Sequence, residues 1–176
     1  PIITTEYNIE GYPSDDFIKM VLEINPEQVT LVPDTAEVLT SCAGWDTIKF
    51  EKYLKKIINK LKDNGIRTSI FVDPKIDIIE AAATCETDRI ELYTEDYASN
   101  YLLNKEKAIV PYVLAAKKAN EIGIGINAGH DLNLENLSFF AKNIPNLSEV
   151  SIGHALISDS LYLGLENTIQ MYKRLL

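Results

Sequence analysis

Residues 123–130 read GIGINAGH, a short apolar run that ends in a Gly-His step. The arrangement returns at residues 149–154, EVSIGH, where a second strand-like run ends in another Gly-His step. A segment with helical spacing of apolar residues follows each histidine. A strand that leads into a helix is the repeating unit of α/β proteins, which place their ligands at the carboxyl ends of such strands. These two stretches therefore predict an α/β fold with a site near His130 and His154.

The same strand–helix pattern occurs six times along the chain. Predicted strands lie at 7–10, 28–32, 67–72, 89–93, 123–128 and 149–152. Predicted helices begin at Ser14 and at Asp73-Pro74, and cover 46–64, 105–122, 134–143 and 158–175. Consecutive parallel strands need a crossover connection, so six such units predict one domain over 1–176, with a parallel sheet covered by helices.

The length of the chain leaves two arrangements open. Its 176 residues give about 29 residues for each of six units. Eight units of that size would need about 235 residues, which is within the usual range of a closed (β/α)₈ TIM barrel. Either the sheet is an open, doubly wound one, or the first two βα units of a barrel are absent from this chain.

Charge and composition exclude several classes of function. The chain has 17 Lys+Arg against 26 Asp+Glu, for a net charge of -9, which argues against a nucleic-acid partner. A small phosphate is still compatible, because a helix start can hold one with backbone N–H groups. No apolar run reaches the roughly 20 residues of a membrane span, and no signal-peptide pattern opens the chain, so we expect no membrane partner and a cytoplasmic protein. Cys42 and Cys85 form no metal-binding motif, and we expect no metal.

Four residues at predicted strand ends are candidates for chemistry. His130 and His154 follow glycines, which let a backbone approach a ligand closely; the alternative is that each is a packed residue at a turn. Glu10 ends the first strand, where burial can raise the pKa of a carboxyl for acid/base work; the alternative is a solvated side chain. Glu91 shares a strand face with Arg89, and it either faces a barrel interior or forms an ion pair with that arginine.

A long loop at 33–46, PDTAEVLTSCAGWD, follows the second strand. Connections of this length are usually functional. The hydroxyls of Thr40 and Ser41 are placed to contact a substrate, although a loop threonine is more often a local cap. Cys42 and Trp45 are interpreted as packing residues.

Six segments in order carry a family resemblance: YNIEG, TLVPD with a following T-x-x-x-G-x-D, GIRTSIFVDP, RIELYTEDYA, GINAGHDLN and SIGHALI. Together they resemble the pyridoxine 5'-phosphate synthase family over essentially the whole chain. The resemblance implies a (β/α)₈ barrel that this chain enters at the third strand. It implies condensation of 1-deoxy-D-xylulose 5-phosphate with 3-amino-2-oxopropyl phosphate, which closes a pyridine ring and releases phosphate and water. It also implies small phosphorylated substrates, no cofactor, and a homo-oligomer, which in the family is an octamer.

The resemblance assigns roles to the strand-end residues. Glu10 matches an acid/base carboxylate, His130 a proton-donating histidine, and Glu91 a carboxylate that assists the transition state. Gly153 and His154 match a pair that binds a substrate phosphate.

The resemblance also concerns two further residues. Thr40 matches a threonine of the loop that contacts substrate. Asp131 departs from the family pattern, in which glycine is common; its N–H can still bind phosphate, and we expect its carboxylate to point away or to cap the next helix. The family's first two strands supply an Asn-x-Asp-His motif, a general-base His and Arg residues, and none of these is present in this chain. We therefore expect this chain to hold the half of the active site that binds the amino-ketone substrate.

Two other functions remain open. One is another phosphate-binding barrel enzyme, although an aldolase of Schiff-base type would need a strand-end lysine and the six predicted strands contain none. The other is a non-catalytic relative, which has no need for two Gly-His steps aligned with a strand-end glutamate.

Overall fold

The structure is a computed structural model that describes residues 2–34 and 43–176. Six parallel strands form one sheet in the order β1 to β6, the order of the chain. Their bounds are Asn8–Gly11, Gln28–Leu31, Arg67–Val72, Arg89–Tyr93, Gly125–Gly129 and Leu147–Ser151. All five neighbouring pairs are parallel. The strand order does not reverse around a central strand, so the doubly wound alternative is wrong.

Contact between distant strands shows that the sheet is strongly curved. Nε2 of Gln28 on β2 donates a 2.7 Å hydrogen bond to Oε1 of Glu149 on β6. Four strand steps separate β2 from β6, which is about 19 Å in a flat sheet. The strands therefore curl around a common interior as a half-barrel, and their inward-facing side chains meet across it.

The curved sheet has a polar inner face and an apolar outer face. Inside, Arg89 donates to Glu149 (2.7 Å) and to Asn127 (3.2 Å), and Asn127 also donates to Glu149 (2.8 Å). A bulge between β5 and β6 pairs Asn127 with Glu149 directly after pairing Ile126 with Leu147, so Ser148 is skipped. The bulge turns Glu149 inward, where the strand's plain alternation would turn it outward.

Outward-facing strand residues pack against helices and form the hydrophobic core. The strands contribute Val29, Leu31, Ile70, Val72, Ile90, Leu92, Ile126 and Ala128, all fully buried. Leu54, Ile58 and Leu61 come from one side of the helix that follows β2, and burial of each contributes about 1.5–3 kcal/mol.

Eight helices cover the sheet in the described part of the chain. Helices α1 to α4 span Asp15–Ile24, Glu51–Lys62, Ile76–Thr84 and Glu95–Ala108, and α5 to α8 span Val110–Glu121, Leu137–Asn143, His154–Leu163 and Leu165–Lys173. Over residues 2–34 and 43–176, none is long and apolar enough to cross a bilayer.

Several predicted helix boundaries are wrong for local reasons. Lys75 is the N-cap of α3, while Asp73 instead accepts a hydrogen bond from the N–H of Gly44 (3.0 Å). By contrast, the start of the helix predicted over 105–122 is correct, because Asn104 interrupts α4 with non-helical angles (φ -166°, ψ 90°). The helix predicted over 158–175 breaks at Gly164, whose φ of 79° ends α7.

Candidate active site

The carboxyl ends of the strands surround a cleft of about 730 Å³. Six of the seven predicted site residues line it: Glu10, Glu91, His130, Asp131, Gly153 and His154. The seventh, Thr40, lies outside the described residues, as do Ser41 and Cys42. Residues far apart in sequence meet here because parallel strands place their carboxyl ends at one edge of a sheet.

Glu91 is a buried carboxyl in the wall of this cleft. Its exposed fraction is 1%. Burial raises its pKa to about 8, the negative charges of Glu10 and Glu149 add to the rise, and a hydrogen bond with Ser151 opposes it. Oε2 has no hydrogen-bond partner among the described residues. The carboxyl is therefore mostly protonated near neutral pH, and it can both give and accept a proton there.

Arg89 does not pair with Glu91, although both face the barrel interior. Its guanidinium binds Glu149 at 2.7 Å. The ion pair with Arg89 that the strand pattern left open is thus wrong, and the alternative, a glutamate facing the barrel interior, is correct.

Glu10 stands at the mouth of the cleft at the end of β1. Its side chain is exposed by surface area, yet protein atoms surround it closely enough that desolvation raises the pKa of its carboxyl. The nearby imidazole of His130 lowers that pKa, and Asp34 raises it. The imidazole of His130 thus lies near the Glu10 carboxyl, and both side chains line the same cleft.

His130 sits on a turn whose backbone is unusual. The φ angles of His130 and Asp131 are 83° and 59°, in the left-handed region that non-glycine residues rarely adopt. Thr94 holds this turn: its hydroxyl donates to the carbonyl of Gly129 (2.8 Å) and contacts the carbonyl of His130, and its N–H donates to Gly129 (3.0 Å). Sequence analysis missed Thr94, a fully buried hydroxyl directly after β4.

Two side chains flank the His130 ring. The ring of Tyr93 meets it edge to face, with centroids 4.9 Å apart. Oδ2 of Asp131 lies 2.9 Å from Nδ1 of His130. The expectation that this carboxylate caps the next helix is wrong, because it contacts the imidazole instead and the N-cap of α6 is Asn136.

The two Gly-His steps use glycine for different reasons. At Gly129 the space for a side chain is filled by Glu91, so the expected close approach of a ligand does not explain this glycine. At Gly153 the surroundings are open, and α7 begins directly after it at His154. The first N–H groups of a helix have no partner within the helix, so this helix start suits an anion.

Polar side chains that the sequence analysis left aside also line the cleft. Asn8 lines the cleft and accepts a hydrogen bond from Thr30 (3.2 Å). Ser151 also lines the cleft, and its side chain is hydrogen-bonded to Glu91. The period-two pattern of β1 and β6 places both on the same face as Glu10 and Glu149, a signal that was available. Within the described ranges no three His, Cys, Asp or Glu side chains gather as a metal site would require.

Comparison with known proteins identifies the family. A family model described as "Pyridoxal phosphate biosynthesis protein PdxJ" matches residues 1–176. The chain belongs to this family. The resemblance read from the six segments is thereby confirmed.

Individual members of the PdxJ family are similar throughout the chain. A protein of Flavobacterium johnsoniae named pyridoxine 5'-phosphate synthase is 62% identical over 171 residues, which are 97% of this chain and 72% of that protein. One of Christiangramia forsetii with the same name is 57% identical over 176 residues, 100% of this chain and 74% of that protein.

Solved structures agree with the fold of this PdxJ-family chain. The tryptophan synthase A-subunit of Pyrococcus furiosus has a TM-score of 0.63 at 16% identity, covering 99% of this chain and 66% of that one. A xylose isomerase domain protein of Planctomyces limnophilus has a TM-score of 0.60 at 11% identity, covering 98% and 71%. At these identities the likeness concerns the fold alone.

Proposed function

We propose that this chain carries the catalytic cleft of a pyridoxine 5'-phosphate synthase. The reaction joins 1-deoxy-D-xylulose 5-phosphate to 3-amino-2-oxopropyl phosphate, closes the pyridine ring of vitamin B6, and releases phosphate and water. One observation carries the proposal: Glu10, Glu91 and His130 converge on a single cleft that also contains an open helix start at His154. Membership of the PdxJ family supports the choice of reaction.

The proposed fold is a (β/α)₈ TIM barrel in one domain, to which residues 1–176 contribute six consecutive units. Within the described residues β1 and β6 each pair with one strand, while Gln28 and Glu149 show that the sheet already curls back on itself. Two more βα units would fit between the outer edges of β1 and β6. The relatives, of which this chain spans 72–74%, are long enough to contain them.

Proton transfer is the main chemical demand of this reaction. Forming carbon–nitrogen and carbon–carbon bonds between two carbonyl compounds, with loss of water, requires groups that give and take protons near neutral pH. His130 and Glu10 are proposed to transfer those protons. Glu91, held largely neutral by burial, is proposed to donate a hydrogen bond to oxygen as negative charge develops on it.

Phosphate binding is assigned to backbone N–H groups rather than to a basic patch. The start of α7 at Gly153 and His154 is proposed to hold one substrate phosphate, assisted by the N–H of Asp131 across the cleft. Thr40, outside the described residues, is proposed as a further substrate contact. No cofactor enters the proposed reaction.

The proposed function also includes a location and an oligomeric state. We propose a cytoplasmic homo-oligomer, an octamer as in the family, without a nucleic-acid or membrane partner. Light scattering coupled to size-exclusion chromatography tests the assembly, and a monomer would contradict it.

The activity is tested by mixing both substrates with the full-length protein and following product absorbance together with released phosphate. We expect equal amounts of the two. His130→Asn and Glu10→Gln should each lower kcat by about 100-fold or more with the fold intact. Glu86→Gln, an exposed carboxylate at the opposite end of the barrel, is the matched control. Absence of product from folded wild-type protein would favour another phosphate-binding barrel enzyme or a non-catalytic relative.

A further inference from the structure

The contact between His130 and Asp131 is a feature that the proposed reaction does not use. The two residues are adjacent in sequence, and their side chains meet at 2.9 Å, Nδ1 to Oδ2. The imidazole is 19% exposed and the carboxylate 46%, so the pair lies at the edge of the cleft rather than in the core. A contact between neighbouring side chains needs a particular backbone, and this turn supplies it.

The backbone of the turn is strained and held in place from both sides. Positive φ at two consecutive non-glycine residues is strained, and such strain persists where surrounding contacts fix it. Thr94 fixes the carbonyls of Gly129 and His130 on one side. On the other, Nδ2 of the buried Asn136 donates to the carbonyl of Asp131 (3.1 Å). The structure thus maintains a conformation that glycine would adopt with less strain.

The chemistry of the two groups fixes where the ring proton lies. A carboxylate only accepts hydrogen bonds, because neither of its oxygens carries a hydrogen. The ring nitrogen that faces it must therefore carry a hydrogen, and the lone pair of the neutral ring is on Nε2. When the ring is protonated, the same contact becomes a charge-assisted hydrogen bond.

We propose that Asp131 is a positioning residue that holds His130 in the Nδ1–H tautomer and fixes the orientation of its ring. Nε2 is then the atom through which His130 takes up and releases a proton. The edge of the Tyr93 ring restricts rotation from a second direction. The inference rests on the proposed function only in giving His130 a proton to transfer; the tautomer itself is a property of the free protein.

The test uses Asp131→Gly, which removes the carboxylate and suits the left-handed backbone, so the variant should fold. In the full-length protein with ¹⁵N-labelled histidine, the imidazole nitrogens of His130 are assigned by difference from His130→Gln. We expect the Nδ1–H pattern in the parent and a mixture of tautomers in Asp131→Gly. Turnover should fall by less than about 10-fold, because the ring loses part of its competent population to the other tautomer, while glycine, which is common at this position in the family, leaves the remaining groups in place.

Glu86→Gly is the matched control, because Glu86 is also a carboxylate on a left-handed backbone, with φ 65°, but lies away from the cleft. It should leave both the imidazole signals and turnover unchanged. An identical tautomer pattern in the parent and in Asp131→Gly would overturn the inference, as would an Nε2–H pattern in the parent. Loss of all activity in the parent with the Nδ1–H pattern intact would reject the proposed function alone.

Discussion

A Cβ atom placed on Gly129 would lie 2.2 Å from Oε1 of Glu91. Register explains the closeness: Tyr93 pairs with Gly129 and Glu91 with Asn127, so the Glu91 side chain reaches along β5 toward its carboxyl end. The missing side chain at 129 is therefore the space that the buried carboxyl occupies. This relationship links the glycine of the NAGH segment to a residue 38 positions earlier.

Gly129→Ala should displace Glu91 and destabilise the protein. The methyl group would meet a carboxylate oxygen at 2.2 Å and the Cβ of Ser151 at 3.1 Å, and overpacking of this kind costs about 1–3 kcal/mol. Urea denaturation measures the loss. In a Glu91→Ala background the same substitution should cost clearly less, because the main obstacle has gone. Equal costs in both backgrounds would show that Glu91 is not the reason for the glycine.

Deprotonation of Glu91 should lower the free energy of unfolding as pH rises. Its folded pKa of about 8 is above the ordinary value of a glutamate, so the folded state binds the proton more tightly than the unfolded state. The resulting stabilisation is complete below about pH 4.5 and is lost as pH rises toward 8. Because solvent does not screen this buried carboxyl, a few kcal/mol are at stake.

Glu91→Gln is the test of this pH dependence, since glutamine has the same size and does not titrate. Between pH 5 and 8.5, the free energy of unfolding of the wild type should fall relative to that of the variant. Circular dichroism in urea at four or five pH values measures the difference. Parallel profiles would mean that Glu91 titrates normally.

Thr94→Val should loosen the turn that carries His130. Valine keeps the shape but removes the hydroxyl that bonds the carbonyls of Gly129 and His130, and the loss of a hydrogen bond costs about 0.5–1.5 kcal/mol, since Gly129 keeps the bond from the Thr94 N–H. We expect a lower melting temperature and a lower kcat with KM little changed, because the defect is in orientation. Thr94→Ser retains the hydroxyl and should behave like the wild type; a serine variant as impaired as the valine one would assign the effect to the lost methyl group.

Glu149→Gln should weaken the polar interior of the barrel. The carboxylate accepts from Gln28, Arg89 and Asn127, and removing its charge leaves the Arg89 guanidinium, 19% exposed, without its ion-pair partner. For a partly buried pair we expect a loss of about 1–3 kcal/mol in urea denaturation, less than for a fully buried one. Glu86→Gln, which breaks an exposed pair with Lys55, should cost much less, because solvent screens exposed charges. Comparable losses would show that the interior pair is solvated.

The sequence predicts the strands well because each is a short apolar run between polar turns. Consecutive βα units also imply the parallel order, and the strand ends locate the cleft. Side-chain partners are predicted less well, since they depend on the curvature of the sheet. Alternation along β4 puts Arg89 and Glu91 on one face, but only the curled sheet brings Glu149 within reach of Arg89.

The backbone conformation of the turn at His130 is not predicted by the local sequence either. A Gly-His-Asp segment indicates a turn, but its left-handed φ angles are fixed by Thr94, 36 residues away, and by Asn136. The break at Gly164 has an ordinary boundary signal, because glycine is common at a helix end. Apolar spacing that runs through both flanking helices predicts one continuous helix instead.

The bulge at Ser148 also disfavours docking of β6 in the wrong register. If β6 docked without it, Asn127 would pair with Ser148 and Ala128 with Glu149, so Glu149 would face outward into the apolar layer and Arg89 would lose its carboxylate partner. Both errors desolvate an unpaired charge, which costs several kcal/mol. Gln28 adds a second condition, since it reaches Glu149 only when β2 and β6, 121 residues apart, are both in their final places. Misaligned docking of the sixth strand is therefore penalised at two points before the cleft above it can form.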